Sequence, residues 1–329
     1  MSPRAWFAFF SVSVLWGVPY LFIKIAVDDG VPPAFLAWAR VTLGALILGA
    51  ISWRLGLLES LRGRWRMLAV YAILEIAIPF PLIAAGEQSV SSSLAAILIA
   101  SVPLIVAVLA IWVDHSERAT GARLAGLFLG FGGVVALVGI DVAGSAEELL
   151  GAGAILLAAV GYALAPMLLK LRLVDVDPRA TMAGALAIAS LALAPFAALT
   201  APAADSLTAD SVTSLVVLGV FCTAAALVLF GALVAEVGAG RALVITYVAP
   251  VVAVGLGVAV LGERPGAGAI AGLLLIIAGS WLSTDGRLPP GTAAVVTRFR
   301  RGRGRAARAP ARPLVTRPAP APRAGSGAP

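Results

Sequence analysis

The chain consists of two related halves separated by an offset of 146 residues. At this offset the second half repeats residues of the first, and the matching pairs are Lys24 and Lys170, Pro32 and Pro178, Glu117 and Glu263, Gly126 and Gly272, and Gly133 and Gly279. Pro103 and Pro250 match with a shift of one residue. The sequence therefore predicts two copies of one structural unit.

The composition places both copies in a membrane. Hydrophobic residues make up 60% of the chain, charged residues only 12%, and the mean hydropathy is +1.01, whereas soluble domains carry roughly 25% charged residues. A helix needs ~20 apolar residues to cross ~30 Å of hydrocarbon. We therefore predict an all-α integral membrane protein with ten transmembrane helices, at 6–26, 33–53, 66–85, 90–112, 120–140, 149–170, 179–199, 211–234, 241–261 and 266–284.

The number of spans in each copy determines how the copies are related. Each copy holds five predicted spans, and an odd number forces the second copy to be inverted relative to the first. Inverted repeats are typical of alternating-access transporters, whose binding site lies near the bilayer midplane where the halves meet. We predict a first repeat over residues 1–144, a second, inverted repeat over 145–284, and a tail over 285–329.

The distribution of Lys and Arg predicts that both termini are cytoplasmic. With this orientation eleven basic residues before the tail face the cytoplasm, and only Arg264 faces outward. The external loops carry acidic residues instead, such as Asp28, Asp29 and Glu87. The first span is expected to be a permanent helix, because Lys24 interrupts its end and no signal-peptide cleavage pattern follows. The expected location is the bacterial inner (plasma) membrane.

The tail carries the net positive charge of the protein. Residues 285–329 contain ten Arg and one Asp, a charge of +9. Their Arg-, Pro-, Ala- and Gly-rich composition predicts a disordered cytoplasmic segment. Basic segments beside a membrane are attracted to anionic lipid headgroups, so we expect membrane lipids as a partner. We expect no nucleic acid, because no folded reading surface accompanies the charge.

The sequence lacks the residues that several functional classes require. Cys222 and His115 are the only cysteine and histidine, and no Gly-rich phosphate loop ends in Gly-Lys-Ser/Thr. We therefore expect no metal, no cofactor and no ATP hydrolysis, and we expect a small-molecule solute to move down a gradient or coupled to one. The alternative is a membrane-embedded lipid-handling protein or enzyme, which needs a cluster of catalytic acids or histidines at one interface. The acids there are scattered.

Arg40 and Glu75 are the charged residues predicted deepest in the membrane. Counted from the cytoplasmic face at 1.5 Å per residue, their depths differ by ~6 Å. An unpaired charge there costs at least ~2.5 kcal/mol, so both should face the bundle interior. They either form a packing ion pair or act in solute binding or proton transfer, unless a span boundary is misplaced.

Lys24 and the in-span prolines are further candidates. Lys24 lies at the external end of the first span, where it either extends to the headgroups beside Asp28 or receives an anionic group of the solute. Prolines remove backbone donors and kink or break helices. Corresponding breaks in two inverted repeats point to the binding region, and this makes Pro103 and Pro250 site candidates, although prolines also serve only to shape a bundle.

Aromatic side chains would complete the wall of a cavity. The candidates in the predicted spans are Trp16, Tyr20, Trp38, Tyr71, Tyr162 and Tyr247, with Trp16 aligned to Tyr162 by the repeat. Aromatic residues of membrane proteins are otherwise found facing lipid or in interfacial belts. The hydroxyl run Ser91 to Ser93 opens the fourth span and is either an external polar vestibule or, more simply, a helix cap.

Four segments resemble EamA-domain proteins of the drug/metabolite transporter superfamily. They are LWGVPYLFIKIA (Leu15–Ala26), PAFLAWAR (Pro33–Arg40), ASVPLIVAVLA followed by Glu117 and Arg118, and RALVITYVAPVVAVGLGVAVLGERP (Arg241–Pro265). The first copy departs from the Gly-Glu-Arg pattern with Ser116, where the second has Gly262. The resemblance implies a ten-helix secondary carrier that exports or exchanges small metabolites, often amino acids, without ATP.

Overall fold

The computed structural model describes residues 2–113, 121–238, 242 and 244–283, and within these ranges all regular structure is helical. Ten apolar helices follow one another: α1 (Pro3–Asp28), α2 (Pro33–Arg54), α3 (Trp65–Gly86), α4 (Ser92–Ile99 and Val102–Val113), α5 (Ala122–Leu137, continued by Val138–Val142), α6 (Ala146–Arg172), α7 (Pro178–Leu199), α8 (Ala209–Val237), α9 (Ile245–Leu261) and α10 (Ala267–Ser283). Short 3₁₀ turns lie at Leu57–Leu61 and Ala204–Ser206.

The helices have the dimensions of membrane spans. Eight of them, α1 to α8, contain segments long and apolar enough to cross a bilayer, and Ile245–Leu261 and Ala267–Leu282 are shorter apolar helices. Large apolar side chains point outward along them, as shown by Phe128 and Leu191, which are 71% and 76% exposed. The prediction of an all-α membrane protein with ten helices is confirmed. The predicted turn around Glu117 and the basic tail lie outside the described residues.

Polar residues fix where the helices begin. Ser2, Ser91, Ser145 and Thr208 cap α1, α4, α6 and α8, and each side-chain oxygen accepts a hydrogen bond from the backbone N–H three residues further on. The interpretation of Ser91 as a helix cap is therefore confirmed. Proline occupies the first turn of α1, α2 and α7, where its missing N–H has no partner to lose.

The two halves meet through glycines of α5 and α10. A Cβ atom on Gly133 would lie 3.1 Å from the carbonyl oxygen of Gly272, and one on Gly279 would lie 2.5 Å from that of Gly126. These four glycines form two repeat-related pairs, so each half presents the same surface to the other. Small residues of this kind allow membrane helices to approach closely.

Two repeat-related helices also carry π-helical turns. In α3 the turn covers Ile73–Ala77, and in α8 it covers Val217–Ala225, which includes the residues 146 positions after the first turn. A π turn widens the backbone and is frequent at functional sites. In α3 and α8 the turns contain the polar residues that are described below.

Candidate functional site

The site is built around Arg40, whose side chain is buried between the two halves of the molecule. Arg40 lies on α2 with a relative exposure of 9%. Its Nε donates a hydrogen bond of 3.0 Å to Thr223 Oγ1 in the π turn of α8. Its guanidinium carbon lies 4.2 Å from the ring centre of Phe80 on α3, a cation–π contact. Three helices from both halves therefore hold the guanidinium in place.

The π turn of α8 orients Thr223 toward Arg40. The Thr223 hydroxyl donates a hydrogen bond of 2.8 Å to the carbonyl oxygen of Leu218, five residues earlier. This bond commits the hydroxyl proton, so its oxygen is available to accept from Arg40. The geometry requires the wider turn, because in a regular α-helix a hydroxyl reaches the carbonyl three or four residues earlier.

Glu75 does not pair with Arg40. Among the described residues no carboxylate lies within ion-pair distance of the Arg40 guanidinium. Glu75 lies in the π turn of α3, and its Oε2 is buried without a hydrogen-bond partner among the described residues. The packing ion pair considered from the sequence is therefore absent between these two residues. Both side chains can still bind other groups.

Two tyrosines lie near the charged groups. Tyr162 on α6 lies within electrostatic range of both Arg40 and Glu75. Tyr20 on α1 lies within range of Tyr162, Arg40 and Glu87. The structure therefore brings together four of the residues singled out from the sequence, with Tyr20, Arg40 and Glu75 from the first half and Tyr162 from the second. We call these four residues, with Thr223 and Phe80, the central cluster.

Lys24 lies at the end of α1 that leads to the Asp28–Gly30 turn. Its ammonium is 2.8 Å from Asp28 Oδ1 and donates a hydrogen bond of 2.9 Å to the main-chain oxygen of Glu87. Its side chain is 18% exposed. The contact with Asp28 that the sequence suggested is confirmed, and the bond to Glu87 additionally ties α1 to the end of α3.

The remaining predicted residues lie in other surroundings. Trp16 packs against Phe230 of α8 with ring centres 4.7 Å apart, in an apolar cluster that also contains Tyr247. Tyr247 donates its hydroxyl hydrogen bond, 3.3 Å long, to the main-chain oxygen of Ser280 on α10. The described contacts of these two aromatics are with neighbouring helices.

The two prolines of the repeat differ in their effect on the backbone. Pro103 is the second residue of the second segment of α4, which is interrupted at Ala100 and Ser101. Pro250 is buried inside the continuous helix α9. A Cβ atom on Gly17 of α1 would lie 2.7 Å from the carbonyl oxygen of Ala249, so α9 is in close contact with α1 beside Pro250. Of the two corresponding breaks that the sequence predicts, the structure shows the one in α4 and not the one in α9.

A sequence model of one family matches both halves of the chain, over residues 4–139 and 149–284. The chain belongs to the EamA-like transporter family. It is 25% identical over 275 residues to an uncharacterized transporter of Archaeoglobus fulgidus, with 82% of this chain and 94% of that protein covered. It is 28% identical to the uncharacterized transporter YvbV of Bacillus subtilis, with coverages of 80% and 86%.

Two further comparisons bear on parts of the chain and on the fold. Protein PagO of Salmonella typhimurium is 35% identical over 133 residues, which cover 40% of this chain and 42% of that protein. A solved crystal structure superposes with a TM-score of 0.59 at 22% identity, over 85% of this chain and 96% of the other. As a member of the EamA-like family this protein is a multi-pass membrane transporter of a small-molecule solute.

Sequence reasoning did not identify Glu87, Phe80 or Thr223 as site residues. The sequence places Glu87 in an acidic external loop, but its relative exposure is 0%, and neither carboxyl oxygen has a hydrogen-bond partner in the described part of the chain. Thr223 carries no charge and lies in an apolar run, so only its position in the π turn reveals it.

The arrangement offers cationic, anionic and hydroxyl groups in one buried region. Within the described residues no group of three or more His, Cys, Asp or Glu could hold a metal ion.

Proposed function

We propose that this EamA-like protein is a secondary transporter of small zwitterionic metabolites, namely amino acids or related compounds, which it exports or exchanges. The observation that carries the proposal is the buried guanidinium of Arg40, which has no carboxylate within ion-pair distance among the described residues. A charge in this environment is costly and is characteristically retained for a solute or ion. An anionic group of the solute supplies the missing partner.

Glu75 and the tyrosines indicate which other group the solute carries. The buried Oε2 of Glu75 has no hydrogen-bond partner among the described residues and would accept from an ammonium group of the solute. Tyr162 lies within electrostatic range of both Glu75 and Arg40. A solute with a carboxylate and an ammonium group matches these two opposite charges together. Arginine suits the carboxylate because its planar guanidinium binds both oxygens at once.

Transport proceeds by alternating access of the two inverted halves, residues 1–144 and 145–284. The repeat-related glycine contacts of α5 and α10 support this proposal, because they give the halves a common symmetric interface. Both termini are cytoplasmic, the membrane is the bacterial inner membrane, and the basic tail contacts anionic headgroups. The activity is transport and not covalent chemistry.

A flux screen in proteoliposomes tests the proposal. The purified protein is assayed with amino acids, nucleobases and cationic drugs, with and without a pH gradient. We expect saturable exchange of at least one amino acid, and we expect Arg40→Gln to reduce its kcat/KM by at least about 30-fold, as for the loss of one partner of a buried charge pair. Arg54→Gln, at the exposed end of the same helix, is the matched control.

Equal flux in Arg40→Gln and wild type would overturn the assignment of Arg40. Lipid scrambling without solute flux would favour the lipid-handling alternative.

A further inference from the structure

One further buried acid, Glu87, lies at the end of α3 and is not part of the central cluster. Glu87 follows the last residue of α3 and has a relative exposure of 0%. Within the residues that the structure describes, neither of its carboxyl oxygens has a hydrogen-bond partner. A buried carboxylate without donors is strongly unfavourable, whereas the protonated acid avoids the cost of burying a charge. Glu87 therefore differs from acids such as Asp29 and Asp141, whose carboxyl oxygens accept hydrogen bonds.

Neighbouring groups do not compensate a negative charge on Glu87. The charged and titratable side chains that face it are Tyr20, Lys24 and Asp28 on α1, Arg40 on α2 and Glu263 in the α9–α10 loop. The Lys24 ammonium already contacts Asp28 and the main-chain oxygen of Glu87. Burial, followed by the charge of Glu263, raises the pKa of the Glu87 carboxyl well above its ordinary range, and this outweighs the opposing effects of Lys24 and Arg40.

The carboxyl group of Glu263 is bound by backbone amides. Its two carboxyl oxygens accept hydrogen bonds from the backbone N–H groups of Ser92 and Ser93, at 2.8 and 3.0 Å. These amides form the first turn of α4, where the helix dipole favours an anion. Gly257 provides the space, because a Cβ atom there would lie 2.6 Å from Ser93 Oγ. Two acids therefore lie close together, and only one of them has donors for the charged form.

The backbone around Glu87 is held firmly between the halves. A Cβ atom on the preceding residue, Gly86, would lie 2.5 Å from Ile155 Cγ1 of α6, and one on Gly151 would lie 2.9 Å from the carbonyl oxygen of Gly86. This contact joins the end of α3 in the first half to α6 in the second half. Hydration of Glu87 thus requires the two halves to separate at this end.

We propose that Glu87 is a proton-binding site which, when loaded from the external solution, holds the external end of the transporter closed, an inference that rests on the proposed transport topology. In the closed state the carboxyl is dry and keeps its proton. Opening admits water, which stabilises the carboxylate and releases the proton to the outside. A metal cation is disfavoured at this position because the Lys24 ammonium lies 2.9 Å from the main-chain oxygen of the same residue.

Linkage fixes the sign of the pH effect. The pKa of Glu87 is higher in the closed state than in a hydrated open state, so proton binding stabilises the closed state. This stabilisation is complete below the pKa of the open state and is lost as the pH rises through the pKa of the closed state. External acidification therefore closes this end, and alkalinisation opens it.

Cysteine accessibility in right-side-out vesicles tests the inference without any solute. Cys222→Ser removes the native thiol, and Ile83→Cys, one turn before Glu87 in a buried position, reports opening to a membrane-impermeant maleimide. Ser89→Cys, at an exposed position, corrects for the pH dependence of the thiol reaction and reports the side of the membrane. We expect labelling at residue 83, relative to residue 89, to rise from mildly acidic to mildly alkaline external pH.

Substitutions distinguish Glu87 from other titrating groups. Glu87→Gln should abolish the pH dependence and leave residue 83 protected, whereas Glu147→Gln, at an exposed acid, should preserve it. Lys24→Gln should move the midpoint to higher pH and Glu263→Gln to lower pH, each by about 1 to 3 units.

Wild-type pH dependence in Glu87→Gln, or labelling that follows Na⁺ at constant pH, would overturn the proton site. Labelling of residue 89 only from the cytoplasmic side would overturn the topology, and loss of solute flux alone would leave the site standing.

Discussion

Arg40 of α2 donates its Nε hydrogen bond to Thr223 of α8 over 3.0 Å, and this bond crosses between the two halves. The second half has Leu186 at the repeat position of Arg40, and the first has Ala77 at that of Thr223. The bond therefore has no repeat-related counterpart. A symmetric scaffold with an asymmetric charged centre allows a polar solute to be bound in one defined orientation.

The contact between Thr223 and Arg40 should contribute to solute affinity. Thr223→Val removes the hydroxyl but keeps the shape, so we expect the solute KM to rise roughly tenfold, as for the loss of one hydrogen bond to a charged group. The matched control is Thr42→Val, because the Thr42 hydroxyl bonds Ser190 at 2.7 Å and links α2 to α7 away from Arg40. Equal KM changes in the two variants would show that Thr223 has only a packing role.

Glu75→Gln should leave the stability of the protein nearly unchanged. Breaking a buried ion pair typically costs about 3 to 5 kcal/mol, but no ion pair joins Glu75 to Arg40 in the structure. We expect amino acid exchange to fall, because the ammonium loses its partner. Thermal unfolding in detergent and exchange flux measure the two effects. A large drop in unfolding temperature that Arg40→Gln reverses would show that the two residues pair.

The glycine contacts of α5 and α10 should not tolerate a methyl group. In Gly279→Ala the new Cβ would lie 2.5 Å from the carbonyl oxygen of Gly126, and overpacking of this kind costs about 1 to 3 kcal/mol. Gly132→Ala, at a position of α5 with open space around it, should be neutral. Thermal unfolding in detergent compares the two variants, and similar unfolding temperatures would contradict the close approach of α5 and α10.

Asp29 should give the protein part of its sensitivity to acid. The hydroxyls of Ser211 and Thr208 donate to Asp29 Oδ2, and these bonds lower the pKa of the Asp29 carboxyl. Because the folded pKa is lowered, the stabilisation is present above the unfolded pKa and is lost as the pH falls through the folded pKa. Asp29→Asn should therefore show a smaller loss of thermal stability on acidification than wild type or Asp210→Asn. Identical acid profiles in all three would rule out this contribution.

The repeat and the spans were predictable from the sequence because both depend on spacing along the chain. The convergence of Tyr20, Arg40, Glu75 and Tyr162 was also predictable, since charged and hydroxyl-bearing groups in hydrocarbon must face the interior. The direction of each side chain around its helix axis was not. Depth alone placed Glu75 beside Arg40, whereas the π turns of α3 and α8 change the facing of residues that follow them.

Trp16, Tyr247 and Glu87 show two further limits of sequence reasoning. An aromatic residue has the same sequence signature on a packing face as on a cavity wall, and Trp16 and Tyr247 contact Phe230 and Ser280. Glu87 precedes polar residues typical of a loop, so only the three-dimensional contact between Gly86 and Gly151 reveals that it is buried.

The most direct test of the account is whether Arg40 binds the carboxylate of the solute. Binding of an amino acid that the flux screen identifies is compared, by calorimetry in detergent, with binding of the amine that lacks its carboxylate. In wild type we expect loss of the carboxylate to weaken binding by at least about 30-fold. In Arg40→Gln the two compounds should bind with similar, weak affinity, because the same interaction is already missing. Equal discrimination between the two compounds in wild type and Arg40→Gln would contradict the central claim.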